Sequence, residues 1–228
     1  IWAHKGLEPQ TAKLPFEVAQ EELGHDRHWG ALSGPSFAAE LVRGLPTAVT
    51  LACADRAVGD AIVQAISSST FRLYYSNDLV GAEIGGSVKN VLAIACGIAD
   101  GLGLGDSARA ALITRGFAEL TRLGEALGGK RETLTGLCGL GDLILTCSSA
   151  QSRNFSLGRA LASGKSAAEA LSDKRSVAEG AETAPALIML AQRSGVEMPI
   201  CETVLAILEG RITTKDAVIA LLSRPPRD

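Results

Sequence analysis

Apolar positions along the first third of the chain recur in two rhythms. Pro15, Phe16, Ala19 and Leu23 fall on one face of a short helix that opens at a proline and stops at Gly24, while residues 47–53 form a continuous apolar run that reads as a buried strand. Asp55 stands where it can cap a following helix, in which Ala57, Val58, Ala61, Ile62, Ala65 and Ile66 repeat at helical spacing. Residues 70–75 then alternate as a strand does. Strands separated by helices predict a parallel sheet with crossovers, so this third reads as one edge of an α/β domain.

From Asn77 onward the rhythm is helical throughout. The spacing predicts helices over 78–101, 107–127, 153–163, 166–172, 180–194, 199–209 and 214–223. Ser166 with Glu169 and Thr213 with Asp216 have the spacing of capping boxes, and Gly128, Gly129, Gly195 and Gly210 sit where helices should stop. The tail at Arg224-Pro225-Pro226 is expected to fray.

Composition narrows the classes. Of 228 residues 46% are hydrophobic and 21% charged, enough apolar mass for a sizeable core and too little polarity for disorder. A net charge of -3 supplies no basic field for a phosphate backbone, so no nucleic-acid partner is expected. The longest nearly apolar run, residues 91–99, is short of the roughly 20 that span a bilayer, so no membrane span is expected either. Five scattered cysteines without a Cys-x-x-Cys pair indicate neither a disulfide framework nor a metal site, and fit a reducing cytoplasm. His25 and His28 lack a third ligand nearby and read as a solvated loop. The opening Ile1-Trp2-Ala3-His4 reads as a chain entered partway through a strand.

Four segments carry candidate chemistry. Residues 85–96 are apolar on nearly every face of a helix, yet include Lys89 with Gly85 and Gly86 one turn earlier. A buried ammonium is costly, so its pKa shifts and it becomes suited to proton transfer; the plain alternative is a lysine that snorkels to the surface. Asp142 lies among Gly136, Gly139 and Gly141, where it either caps a helix or approaches Lys89 and favours its charged form. Ser152, Arg153 and Asn154 open a helix, where free N–H groups and a guanidinium suit an anion. Residues 33–38 follow a strand, in the position where α/β sheets bind ligands. No Gly-x-Gly-x-x-Gly follows a strand, and Gly101, Gly103 and Gly105 read as a helix end and turn.

Lys5-Gly6-Leu7-Glu8, residues 33–40, Gly85-Gly86-x-x-Lys89-Asn90-Val91, residues 139–143 and Ser152-Arg153-Asn154 occur in that order. Together they resemble the bacterial NAD(P)-dependent glycerol-3-phosphate dehydrogenases over essentially the whole chain. The resemblance implies that residues 1–76 are the C-terminal remnant of a Rossmann-type cofactor domain and 77–228 an all-helical substrate domain. It implies reversible reduction of dihydroxyacetone phosphate to sn-glycerol 3-phosphate, with NAD or NADP as the cofactor, for phospholipid synthesis. Lys89 would exchange the proton, with Asp142 and Asn90 orienting it. Lys5, Gly34, Ser36, Ser152, Arg153 and Asn154 would meet the substrate, the last three at its phosphate. Lys5, Ala38, Arg153, Val177 and Glu179 would meet the cofactor, whose glycine-rich pyrophosphate turn lies outside this chain, so the chain alone is expected to be inactive. A homodimer is compatible with the resemblance. The competing readings are a β-hydroxyacid or sugar-acid dehydrogenase, against which the phosphate anchor argues, and a helical binding module without chemistry. Schiff-base chemistry at Lys89 ranks below both.

Overall fold

The computed structural model describes residues 1–172 and 178–222. In chain order the elements are α1 (Pro15–Leu23), β1 (Gly30–Ser33), α2 (Ala38–Val42), β2 (Thr47–Cys53), α3 (Arg56–Ile66), β3 (Phe71–Ser76), α4 (Leu79–Gly101), α5 (Gly105–Ala126), α6 (Arg131–Leu134), a π-helical turn (Leu137–Gly141), α7 (Asp142–Cys147), α8 (Arg153–Ala162), α9 (Ala167–Leu171), α10 (Glu179–Arg193), α11 (Pro199–Leu208) and α12 (Thr214–Leu222). Asp55 caps α3 through the Val58 amide, and Ser166 forms its capping box with Glu169, as the spacing predicts. The Arg224-Pro225-Pro226 tail and Val177 lie outside the described residues.

The sheet has the order β1-β2-β3. β2 and β3 are parallel, joined through the eleven-residue α3, but β1 runs antiparallel to β2, which corrects the all-parallel expectation. Thirteen residues, 34–46, join β1 to β2, and their helix α2 is only five residues, too short to carry the chain back across the length of the sheet. Trp2 extends the sheet with a parallel bridge to Ala31.

A second correction concerns residues 131–147. The pattern offers a helix there only as one reading, capped by Asp142, yet α6, the π turn and α7 follow one another. Asp142 is the first residue of α7 and not its cap, so its side chain is free for other partners.

The helical part is built around α4, in which every residue from Gly81 to Ala99 is buried. Asp78 fixes its start, accepting from the Gly81 amide at 2.8 Å and from the Lys130 amide at 2.7 Å. Because Ser87, Lys89 and Asn90 interrupt its apolar run, the sequence alone passes it over, but α4 is long and apolar enough to cross a membrane, with mean hydropathy 1.3. In this fold 83% of that 18-residue window is covered by protein. The contact with α8 is backbone to backbone: a side chain at Gly97 would strike the Phe155 carbonyl, and one at Gly158 the Ile94 carbonyl. Glycine at both crossings lets the two helices approach more closely than side chains permit.

Candidate active site

Lys89 lies at mid-length on α4 and is 6% exposed, so the buried reading holds and snorkelling does not. Its Nζ donates to Asp142 Oδ1 at 2.5 Å and to Thr146 Oγ1 at 3.0 Å. Thr146 in turn donates to the Asp142 carbonyl oxygen at 2.6 Å, one helical turn back along α7. An ammonium has three protons, so one N–H of Lys89 is left without an acceptor among the described residues.

The other Asp142 oxygen, Oδ2, accepts from Lys5 Nζ at 2.6 Å. Lys5 arrives from the opposite side, on the segment after Trp2. Trp2 is held to α4 by its indole N–H, which donates to Glu83 at 2.9 Å. Gly86 is the clearance that admits it: a Cβ there would lie 3.1 Å from the Lys5 Cγ. Gly85 makes room differently, because its side chain would run into the Cys138 carbonyl of the π turn. Both glycines flagged by sequence thus serve close approach, one to the second lysine and one to the turn that delivers Asp142.

Two lysines share one carboxylate that is 1% exposed. Burial is the largest influence on Lys89 and pushes it down to about 8; Asp142 opposes that shift and the Lys5 charge adds to it. With both amines protonated the trio carries one net positive charge, which suits an oxygen that becomes negative during reaction.

Gly34 O accepts from Lys5 Nζ at 3.4 Å and from Ser36 Oγ at 3.2 Å, so the loop after β1 borders the lysine pair. Gly34 has φ +152, and a side chain there would press on Val49 Cα at 2.9 Å, two independent reasons for glycine. Ala38 is exposed at the start of α2. The Ser33 hydroxyl is buried without a hydrogen-bond partner among the described residues, 3.2 Å from where a Gly86 side chain would sit.

Ser152 caps α8, accepting from the Phe155 amide at 3.2 Å. Asn154 is buried and its Oδ1 accepts from the Gly180 amide at 2.9 Å, which docks the start of α10 on α8. Asn90 does not turn to Lys89, its neighbour in sequence; its Nδ2 donates to Glu179 Oε2 at 3.2 Å. Consecutive helical residues point about 100° apart, so the side chains diverge. Arg153 Nη2 lies 3.5 Å from the other Glu179 oxygen. The site residues therefore form two groups, Lys5-Asp142-Lys89 and Asn90-Glu179-Arg153, linked through adjacent positions on α4. Thr146 is the member that sequence reasoning missed. Its signal was the four-residue step from Asp142, which puts both on one face of a helix that the glycine-rich pattern concealed.

Residues 78–219 match the C-terminal model of the NAD-dependent glycerol-3-phosphate dehydrogenase family, and residues 1–59 match its N-terminal model. Proteins named glycerol-3-phosphate dehydrogenase [NAD(P)+] from Maricaulis maris and Caulobacter vibrioides are 58% and 59% identical, over 97% and 99% of this chain and 66% and 68% of their own length. The chain thus spans about two thirds of these relatives. The crystal structure of glycerol-3-phosphate dehydrogenase from Coxiella burnetii superposes with a TM-score of 0.94 at 45% identity, covering 98% of this chain and 68% of that one. The enzyme from Saccharomyces cerevisiae gives 0.84 at 27% identity, covering 97% and 67%. A chain that carries both halves of the family's pattern, in order and on the same backbone, belongs to the NAD-dependent glycerol-3-phosphate dehydrogenase family.

Proposed function

We propose that the full-length protein interconverts dihydroxyacetone phosphate and sn-glycerol 3-phosphate with NAD or NADP, and so supplies glycerol 3-phosphate for phospholipid synthesis. The observation that carries this reading is the buried Lys89, bonded to Asp142 and Thr146 with one N–H to spare. In reduction that N–H gives its proton to the oxygen of the substrate carbonyl. In oxidation the neutral amine takes the proton back. Asp142 fixes the direction of the amine and, with Lys5, sets its charge. The phosphate is held by Arg153 with the N-terminal amides of α8, helped by Ser152 and by the amide nitrogen of Asn154. Binding a group that does not react then positions the carbonyl that does. Gly34 and Ser36 close the substrate side.

The nicotinamide supplies the hydride donor or acceptor when bound. The chain fits such a group: the partnerless Ser33 hydroxyl, beside Gly86 and Lys5, offers a buried polar contact to an amide-bearing ring. Lys5, Ala38, Arg153 and Glu179 are the described residues we assign to holding the cofactor, with Val177 proposed from sequence. The reaction belongs in a cytoplasm, and five buried free thiols support a reducing compartment. The division into a cofactor part over 1–76 and a substrate part over 77–228 remains our reading.

Arg153→Ala in the full-length enzyme tests the anchor. At saturating cofactor the kcat/KM for dihydroxyacetone phosphate should fall by roughly 10- to 100-fold more than that for unphosphorylated dihydroxyacetone, the scale of a lost charge-assisted contact to phosphate. Equal losses for the two ketones would remove the anchor role.

The two directions should also part with pH. Lys89 titrates near 8, and reduction needs the ammonium whereas oxidation needs the amine. In kcat/KM profiles, reduction should be flat below that pH and fall above it, and oxidation should rise up to it. Parallel profiles would exclude Lys89 as the proton carrier.

A further inference from the structure

Glu179 is more firmly held than a surface carboxylate at a helix start usually is. It opens the fifteen-residue α10, where the helix dipole favours negative charge. The next residue, Gly180, is pinned on two sides: its amide donates to Asn154 Oδ1 at 2.9 Å, and a side chain there would strike the Asn90 carbonyl. One Glu179 oxygen accepts from the buried Asn90 amide at 3.2 Å. The other faces Arg153 at 3.5 Å, where the two side chains are 37% and 52% exposed. The carboxylate is therefore anchored at its buried end and bound weakly at its open end, to the one guanidinium assigned to the phosphate.

We propose that Glu179 is an internal competitor for the phosphate site: it holds Arg153 as a counter-ion and yields it when a phosphate arrives. The proposal rests on the assignment of Arg153 to the substrate phosphate. A single long contact is easily displaced by a dianion that offers the guanidinium two oxygens at once, so phosphate enters readily. The displaced carboxylate stays nearby on Asn90 and recaptures Arg153 when product leaves. Glu179 thereby sets how tightly every phosphate ligand is held and keeps product release from becoming slow, a role separate from any contact with the cofactor.

Competition has a distinctive signature. Removing the competitor tightens all phosphate ligands by one common factor and leaves neutral ligands alone. Glu179→Gln keeps the shape and the Asn90 contact but not the charge. In the full-length enzyme at saturating cofactor it should lower the KM for dihydroxyacetone phosphate and the calorimetric Kd of inorganic phosphate by the same roughly two- to fivefold, the scale of an exposed ion pair. The KM for unphosphorylated dihydroxyacetone should show no such drop. In an Arg153→Ala background the gain in KM should vanish. Unchanged or weaker phosphate binding overturns the proposal, as does a gain that survives the loss of Arg153, which would mean general repulsion. Failure of the wild-type enzyme to reduce dihydroxyacetone phosphate would strike the functional reading, while phosphate calorimetry still decides the competitor role.

Discussion

Replacing Lys89 with alanine is expected to lower turnover of the full-length enzyme by roughly 10²-fold or more in both directions, the usual scale for a lost general acid or base. The KM for dihydroxyacetone phosphate should change far less, because the groups assigned to phosphate lie on α8 and do not touch Lys89. The fold should survive. Asp142 keeps Lys5 at 2.6 Å, so the buried carboxylate is not stranded without a cation, and the change removes an ammonium from an apolar core. Lys89→Met, which refills the space without a proton to give, should be as inactive as alanine and at least as stable in a thermal melt. Stopped-flow or steady-state rates near those of the wild type would take Lys89 out of the reaction.

The larger effect on stability belongs to Asp142→Asn. This substitution leaves two amines facing one neutral amide in a site where the native carboxylate is 1% exposed. Breaking a buried pair from one side typically costs about 3–5 kcal/mol, and the partial exposure of Lys5 places the expected loss near the lower end of that range, as measured by denaturant unfolding. Catalysis should suffer asymmetrically. Asp142 is the influence that raises Lys89 against burial, so its loss lets Lys89 drop further below 8. At neutral pH a larger share of the amine is then deprotonated. Reduction, which needs the proton, should fall by a larger factor than oxidation, which needs the unprotonated lone pair. Equal losses in the two directions would mean that Asp142 only positions Lys89 and does not set its charge.

How far these arrangements can be read from sequence depends on the range over which they are made. Asp55 on the Val58 amide, Ser166 with Glu169 and Thr213 with Asp216 are contacts within one helical turn, and the spacing predicts all of them. The buried state of Lys89 is legible for the same reason, since its flanking apolar residues leave a helix no solvent face. The pairing of Lys5 with Asp142 spans 137 positions and that of Asn90 with Glu179 spans 89, and no local rhythm encodes either. The glycine-rich stretch before Asp142 left α7 as one of two readings and concealed the π turn, which has no apolar period to detect. The direction of β1 was misread because strand alternation says nothing of the path by which the chain returns to the sheet.

The close crossing of α4 and α8 at Gly97 and Gly158 has a mechanical consequence. The proposed proton carrier and the proposed phosphate anchor ride on two rods in backbone contact, so the span between them is a rigid gauge of ligand length. Lys5, on the sheet side, meets that gauge through Asp142, the carboxylate it shares with Lys89. Any rocking of the sheet would shift the second amine while the gauge kept its setting. A ketone one carbon longer or shorter between carbonyl and phosphate would then be rejected by dimension alone, however well its charges matched.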